Sequence, residues 1–195
     1  MKKIVCMVAV CLGTVGAYAQ AQTDSLRLFK LQEVVVKGVR AQKNAPFAVA
    51  NIKKAELSSF GKTGRELPFL FANTPGVLAW SENGTGIGTS HIRIRGAADS
   101  RINVTLDGVA LNSPEDECVF WANMNSYASL MGSAQIQRGV GTSTNGDGAF
   151  GGTISLATAA PSLTPSLEVN GGYGTYNSYN VGMNFSSGLL WNRLV

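Results

Sequence analysis

Hydrophobic and polar residues alternate with a period of two in several stretches of the chain, which is typical of half-buried β-strands. In HIRIRG the apolar positions are Ile92 and Ile94, and in RINVTLDG they are Ile102, Val104 and Leu106. The Asp-Gly pair that ends the second stretch predicts a tight turn. AQIQRG and TISLAT, further along, predict two more strands. The pattern therefore predicts a sheet of short strands.

Two short helices are predicted before these strands. KKAELSSFG gives one or two helical turns that Gly61 ends. RELPFLFA gives another short helix, which the following Thr-Pro-Gly ends because proline cannot continue a helix. Thr63 and Glu66 have the spacing of a capping box, in which two side chains satisfy backbone N–H groups at a helix start. A further helical turn is predicted at 126–131.

Two segments have no period and are predicted to be loops. SENGTGIGTS, residues 81–90, contains three glycines, and LNSPEDECVFWANMN, residues 111–125, contains three acidic residues in a row. The acidic run is compatible with cation binding, although such runs more often lie in solvated loops.

Alternation is strictest near the end of the chain. Leu167, Val169 and Tyr173 alternate with polar residues or glycine, and after a short turn the pattern resumes from Tyr179 to Phe185. Two runs of about ten residues with aromatics on the apolar side are typical of a transmembrane β-barrel hairpin. An ordinary amphipathic hairpin on a soluble sheet is the alternative. Because an isolated hairpin leaves backbone groups unpaired at its edges, we expect more strands than this chain contains.

The first nineteen residues predict a secretory signal peptide. Lys2 and Lys3 form the positive end, residues 4–16 are mostly apolar, and Ala-Tyr-Ala at 17–19 has the small-x-small cleavage pattern. The apolar stretch is too short to span a bilayer as a helix. The exported chain is therefore expected to begin at Gln20.

Composition narrows the class of protein. Without Lys2 and Lys3 there are 16 − 2 = 14 basic residues against 12 acidic ones, and a net charge of +2 gives no reason to expect nucleic-acid binding. Cys118 is the single cysteine behind the leader, so no disulfide framework is expected. The 23 glycines among 195 residues and the 14% of charged residues suit strands and turns, or a chain partly surrounded by lipid.

The sequence offers little for enzyme chemistry. His91 is the single histidine and begins a strand without a nucleophile-elbow pattern. Together with Cys118 it provides too few ligands for a zinc site. The glycine-rich residues 139–152 lack the Lys-Ser/Thr pair of a phosphate loop. We therefore expect no enzymatic activity, no cofactor and no metal.

Four segments in a fixed order behind a signal peptide resemble the plug of TonB-dependent outer-membrane transporters, especially those of the Bacteroides group. These segments are LQEVVVKG, RELPFLFANTPGV, IRIRGAADSRINVTLDGVALN and IQRGVGTSTNGDGAFGGTISLAT. The resemblance implies an α+β fold, with a small mixed-sheet plug domain and short helices at 41–160. Such a plug closes a barrel of about 22 strands. Residues 161–195 would be the first hairpin of that barrel, in a chain truncated after it.

The resemblance also implies a TonB-binding segment on the periplasmic side of the outer membrane. Residues 20–40 would be a mobile segment carrying the TonB box, which adds itself to the edge of a sheet in TonB, the energy-coupling protein of the inner membrane. The alternative is that Val34, Val35 and Val36 form an ordinary strand of the plug's own sheet. The implied TonB-binding residues are Leu31, Gln32, Glu33, Val34, Val35 and Val36.

Further site residues follow from the same resemblance. Arg95 and Arg138 each precede a glycine at a strand end and match the arginines that latch the plug to carboxylates on the barrel wall. Solvent-facing arginines are the alternative. By analogy, the loops that face the substrate contain Asn83, Thr85, Ser113, Glu115 and Asp116.

The implied function is energised uptake of a scarce solute, such as a siderophore, cobalamin, glycan or peptide, by an outer-membrane receptor whose plug gates the barrel. Its partners would be TonB, the outer membrane and a small-molecule or oligomeric substrate. The alternative is a stand-alone periplasmic plug-like binding module without transport activity.

Overall fold

The computed structural model describes residues 40–41, 46–125, 127–140 and 148–188. The predicted signal peptide lies outside these ranges. The described strands are β1 Ala48–Lys53, β2 Val77–Ser81, β3 Ser90–Ile94, β4 Ile102–Leu106, β5 Val109–Ala110, β6 Met131–Arg138, β7 Gly152–Thr158, β8 Ser166–Tyr173 and β9 Tyr179–Ser186. The described α-helices are α1 Lys54–Gly61, α2 Leu67–Phe71 and α3 Tyr127–Leu130, and short 3-10 turns lie at Asp99–Arg101, Trp121–Met124 and Thr175–Asn177.

Five strands form the central sheet in the order β1-β6-β7-β4-β5. The pairs β1–β6, β6–β7 and β4–β5 are antiparallel, whereas β4 and β7 are parallel. A parallel pair requires a long connection, and here the chain from β4 to β7 passes through β5, α3 and β6. Strands β2 and β3 form a separate antiparallel pair, as do β8 and β9. This arrangement confirms the predicted mixed sheet with short helices.

The hydrophobic core lies on one face of the central sheet. Ile136 of β6 and Ile154 of β7 are completely buried there, together with Leu57 of α1 and Phe71 of α2. The ring of Trp121 packs edge-on against Phe71 with ring centroids 5.8 Å apart. Burial of each such side chain contributes about 1.5–3 kcal/mol. Trp121 falls within the predicted 111–125 loop, so part of that loop is packed into the core.

The opposite face of the sheet is polar and yet buried. Gln135 and Gln137 of β6 and Thr153 and Ser155 of β7 alternate with the core residues and are each at most 6% exposed. The period of two that predicts these strands thus assigns their two faces correctly.

Most predicted elements are confirmed. Asp107 and Gly108 form the tight turn after β4, both with positive φ (49° and 87°), as a type I′ turn requires. β2 was not among the predicted strands; this five-residue segment becomes a strand by pairing with β3 along its whole length. α3 ends at Leu130 because Met131 already belongs to β6.

The predicted capping box is wrong. Glu66 is itself the residue that precedes α2, and neither helix-start side chain bonds the expected backbone group. The Thr63 hydroxyl instead donates to the Phe60 carbonyl at 2.7 Å. Pro68 sits in the first turn of α2, where its fixed φ is tolerated, and this places the start of the helix beyond Thr63.

No helix in the described ranges combines the length and the apolar character needed to cross a membrane.

Candidate functional site

The β8–β9 hairpin has two faces of opposite character. Leu167 pairs with Phe185 and Tyr173 with Tyr179, so the apolar side chains of both strands share one face. That face is strongly exposed, from 63% for Leu167 to 82% for Tyr179. The hairpin therefore presents an apolar surface that the described residues leave uncovered.

The polar face of the hairpin is turned towards α1. Nζ of Lys62 lies 2.7 Å from Oε1 of Glu168, and Nδ2 of Asn180 donates to the Lys62 carbonyl at 2.9 Å. A cleft of about 320 Å³ separates the two elements. Its lining includes Ser58, Ser129, Glu168, Asn170, Asn180 and Asn184.

The two predicted latch arginines meet at one turn. Nη1 of Arg138 donates to the Pro75 carbonyl at 2.6 Å, and the backbone N–H of Arg95 donates to the Gly76 carbonyl at 2.8 Å. The guanidinium of Arg95 lies beside Gly139, the residue after Arg138. Nε of Arg138 is buried and has no hydrogen-bond partner among the described residues. Within the described residues, neither Arg95 nor Arg138 forms a salt bridge with a carboxylate. The latch therefore stays a prediction.

The predicted substrate-facing residues organise their own loops. Oδ1 of Asn83 accepts hydrogen bonds from the backbone N–H and the hydroxyl of Thr85, both at 3.0 Å. In the other loop, Oγ of Ser113 accepts the Glu115 N–H at 3.3 Å, and Oδ1 of Asp116 accepts a backbone N–H two residues on at 3.2 Å. These contacts hold loop shape, and the substrate-facing role stays a prediction.

A chain of side chains links these two loops. Nδ1 of His91 lies 3.0 Å from Oδ2 of Asp99, and Nε2 lies 3.4 Å from Oε1 of Glu82, which belongs to the first loop. Asp99 in turn hydrogen-bonds the thiol of Cys118, which belongs to the second. The Trp80 ring stacks on the His91 imidazole with centroids 5.3 Å apart.

Contacts among His91, Asp99 and Cys118 shift the pKa values of all three side chains. The hydrogen bond with Asp99 raises the pKa of His91 above 6.5, although partial burial opposes the shift. For Asp99, burial alone would raise the pKa, but the hydrogen bonds with His91 and Cys118 outweigh it and lower the pKa below 3.8. Burial and the neighbouring Asp99 charge raise the pKa of Cys118 to about 11.

The sequence analysis considered His91 only as a catalytic group or a zinc ligand and missed its linking role. The available signal is weak: His91 follows Glu82 by nine positions across the predicted loop and precedes Asp99 by eight. Only the β2–β3 pairing and the Asp99 turn bring the three side chains together.

The predicted TonB-binding residues, Leu31 to Val36, lie outside the described residues. Among those that are described, no three His, Cys, Asp or Glu side chains are grouped so that they could hold a metal ion.

Comparison with known proteins identifies the family. The family model for the TonB-dependent receptor plug domain matches residues 41–153. The siderophore receptor PiuA from Acinetobacter baumannii has a similar fold, with 18% identity, a TM-score of 0.58, and coverage of 81% of this chain and 21% of that chain. The alcaligin outer-membrane receptor FauA from Bordetella pertussis gives 14% identity, a TM-score of 0.54, and coverage of 74% and 24%.

A third similar structure is the ferric yersiniabactin uptake receptor FyuA from Yersinia pestis, with 21% identity, a TM-score of 0.51, and coverage of 71% of this chain and 21% of that chain. At such identities the likeness concerns the fold. This chain spans about a fifth to a quarter of the length of these receptors. No curated protein sequence matches it. Because the family model covers more than half of the chain, the chain belongs to the TonB-dependent receptor plug domain family, whose members are outer-membrane receptors and transporters.

Proposed function

We propose that this chain forms the plug-bearing part of an outer-membrane receptor that takes up a scarce solute with energy delivered by TonB. In this proposal residues 1–19 are the signal peptide, 20–40 carry the TonB box, 41–160 are the plug and 161–195 begin the barrel wall. The family membership supports the plug, and the two faces of the β8–β9 hairpin support the wall.

The hairpin is the observation that carries the proposal. A soluble protein rarely exposes a contiguous apolar face, since such a face promotes association. Here Tyr179 and Phe185 are exposed at 82% and 72%, while Glu168 and Asn180 on the other face bond the end of α1. A barrel wall has this arrangement, with lipid outside and a polar interior that holds the plug.

The energy enters through the segment that precedes the plug. Leu31, Gln32, Glu33, Val34, Val35 and Val36 are the proposed TonB-binding residues. β-Branched residues favour an extended backbone, which gains affinity by adding a strand to a sheet edge in the partner. The periplasm is the compartment in which this segment would meet TonB.

The cargo class is a scarce solute: a siderophore, cobalamin, glycan or peptide. Receptors for siderophores, an alcaligin receptor and a copper transporter are among the proteins of similar fold, which supports metal chelates or metal ions as the first solutes to test. Asn83, Thr85, Ser113, Glu115 and Asp116 are the proposed contacts on the plug loops. Arg95 and Arg138 are the proposed latch to the barrel wall.

Uptake by a deletion strain, complemented with the complete gene to which this chain belongs, tests the proposal. Labelled ferric siderophores, cobalamin, glycans and peptides are supplied in turn, and uptake of one of them is expected to require both this gene and TonB. Val35→Pro removes a backbone donor from the added strand, so it is expected to abolish TonB pull-down and uptake while cell-surface binding of the solute persists. Val35→Thr keeps the donor and the β-branch and serves as the matched control. Solute uptake that is equal with and without TonB would contradict the proposal.

A further inference from the structure

We propose that Arg40 and Ala41 form an anchor on the central sheet that carries the first load when TonB pulls on the preceding segment. The anchor rests on the proposed function, since it concerns how a pull on the TonB-binding residues reaches the plug. These two residues are four and five positions beyond Val36. Any tension applied at or before Val36 therefore meets them before it meets β1.

Arg40 crosses two neighbouring strands of the sheet. Nη1 donates to the Ser133 hydroxyl at 2.8 Å and Nη2 to the Ser133 carbonyl at 3.2 Å, both on β6. On β7, Nε donates to the Ser155 hydroxyl at 3.3 Å and Nη2 to the Ser155 carbonyl at 3.0 Å. The rigid fork of a guanidinium suits such a bridge, which a lysine ammonium cannot reproduce.

Ala41 is held by its backbone. Its N–H donates to Oε1 of Gln135 at 2.8 Å, and its carbonyl accepts from Nε2 of Gln135 at 3.1 Å. The same Nε2 donates to Oδ1 of Asn51 at 2.8 Å, which connects the anchor to β1. The anchor thus contacts β6 and β7 directly and β1 through Gln135. The buried polar face of the sheet thereby gains a role that core packing does not explain.

The strand register determines at which end of β1 a pulling force acts. Ser133 pairs with Lys53 at one end of β1, whereas Ala48, the first residue of β1, pairs with Arg138 at the other end. Ser133 and Arg138 are five positions apart along β6, a distance of about 17 Å at the usual rise per residue. Tension before Arg40 is therefore taken at the Ser133 end. Tension that bypasses the anchor acts at Ala48 and peels β1 from β6.

The anchor is expected to yield before β1 does. It consists of side-chain hydrogen bonds that are only partly buried, whereas the β1–β6 pairing extends over six residue pairs. Once it opens, the load passes on to Ala48, eight positions further along the chain, and eight positions can span at most about 30 Å. The pull is then transferred to the edge strand of the sheet.

Single-molecule pulling on the exported chain, which begins at Gln20 and lacks Cys6 and Cys11, tests the anchor. One handle is attached at the carboxyl-terminal end and the other at a cysteine placed either before the anchor, Lys37→Cys, or behind it, Pro46→Cys, with Cys118→Ser in both. From position 37 we expect a first short step of at most about 30 Å, followed by the step that is also seen from position 46. Arg40→Ala is expected to remove the first step and to leave the trace from position 46 unchanged. Arg101→Ala, an exposed arginine in the Asp99–Arg101 turn, is the matched control.

A purely stabilising role for Arg40 predicts a different result. In that case Arg40→Ala lowers the rupture force from both handle positions alike, and this outcome overturns the anchor. A first step that survives both Arg40→Ala and Gln135→Leu overturns it as well.

TonB pull-down separates the anchor from the proposed function. Wild-type chain and Arg40→Ala are expected to bind TonB equally, because the anchor acts after binding. Failure of both to bind contradicts the proposed function, even if the short step is present. Loss of binding by Arg40→Ala alone overturns the anchor.

Discussion

Glu66 accepts a hydrogen bond from the hydroxyl of Ser90, twenty-four positions further along the chain. Its other carboxylate oxygen accepts the backbone N–H of Gly88 at 2.5 Å, and the Glu66 side chain is completely buried. Its own N–H donates to the Gly86 carbonyl at 3.1 Å. One residue at the start of α2 thus holds the end of the loop that contains the proposed substrate contacts Asn83 and Thr85.

Removing this carboxylate is expected to destabilise the fold. Glu66→Ala leaves the buried Ser90 hydroxyl and the partly buried Gly88 N–H without their acceptor, and a buried group that is left unsatisfied costs about 1–3 kcal/mol. Chemical denaturation measures the change in the free energy of unfolding. Glu56→Ala, an exposed glutamate on α1, is the control and is expected to change it by less than about 0.5 kcal/mol. Equal effects of the two variants would show that Glu66 does not hold the loop.

A charge on the apolar face of the hairpin is expected to impair assembly into the outer membrane. Val181 is 79% exposed on that face, and an arginine in lipid costs about 2–4 kcal/mol near the bilayer midplane. Val181→Arg should therefore reduce the amount of protein in purified outer membranes. Val109→Arg makes the same change at a valine that is 69% exposed on the plug and should leave the amount unaltered. A normal yield of Val181→Arg would contradict a lipid-facing hairpin.

The His91–Asp99 contact makes stability depend on pH. Because the folded pKa of His91 is raised above 6.5, its contribution is complete below pH 6.5 and is lost as the pH rises through the folded pKa. The pKa of Asp99 is lowered, so its contribution is present above pH 3.8 and is lost as the pH falls through the folded pKa. The pair therefore stabilises the fold most between pH 3.8 and 6.5.

The pKa of His91 can be measured directly from its imidazole NMR signals, since the chain contains one histidine. Asp99→Asn is expected to lower the pKa of His91 because it removes the largest cause of the shift. Asp116→Asn, which leaves the His91 contacts intact, is the control. A His91 pKa that does not respond to Asp99→Asn would disprove the contact.

Cys118 is expected to react slowly with thiol reagents. With a pKa of about 11 instead of 9.0, about a hundredfold less thiolate is present at pH 8. The greater nucleophilicity of a more basic thiolate recovers about tenfold, so alkylation should be about tenfold slower than for an ordinary thiol. Asp99→Asn should speed the reaction in part, because burial remains. Alkylation at the rate of a free cysteine peptide would contradict this environment.

Local patterns determined most of the secondary structure. A period of two predicts β3, β4, β6, β7 and the hairpin together with the faces of their side chains, because adjacent residues in a strand point to opposite sides. The Asp107-Gly108 turn could also be read from the sequence, since both of its positions require positive φ. The order of the segments, with the family resemblance, indicated the plug from the sequence alone.

Only the tertiary structure decided which polar residues meet. Thr63 and Glu66 have the spacing of a capping box, but Pro68 in the first turn makes α2 begin after Glu66. The loop that ends at Ser90 packs against this helix start, and Glu66 therefore accepts a hydrogen bond from Ser90. Arg40 reaches Ser133 and Ser155, which lie 93 and 115 positions away, and no local period encodes such a separation. Periodicity fixes which way a side chain points, whereas its partner depends on how sheet, helix and loop pack together. The sequence by itself therefore determined the strands, the faces of their side chains and the family. Tertiary packing decided which residues Arg40, Glu66 and His91 contact.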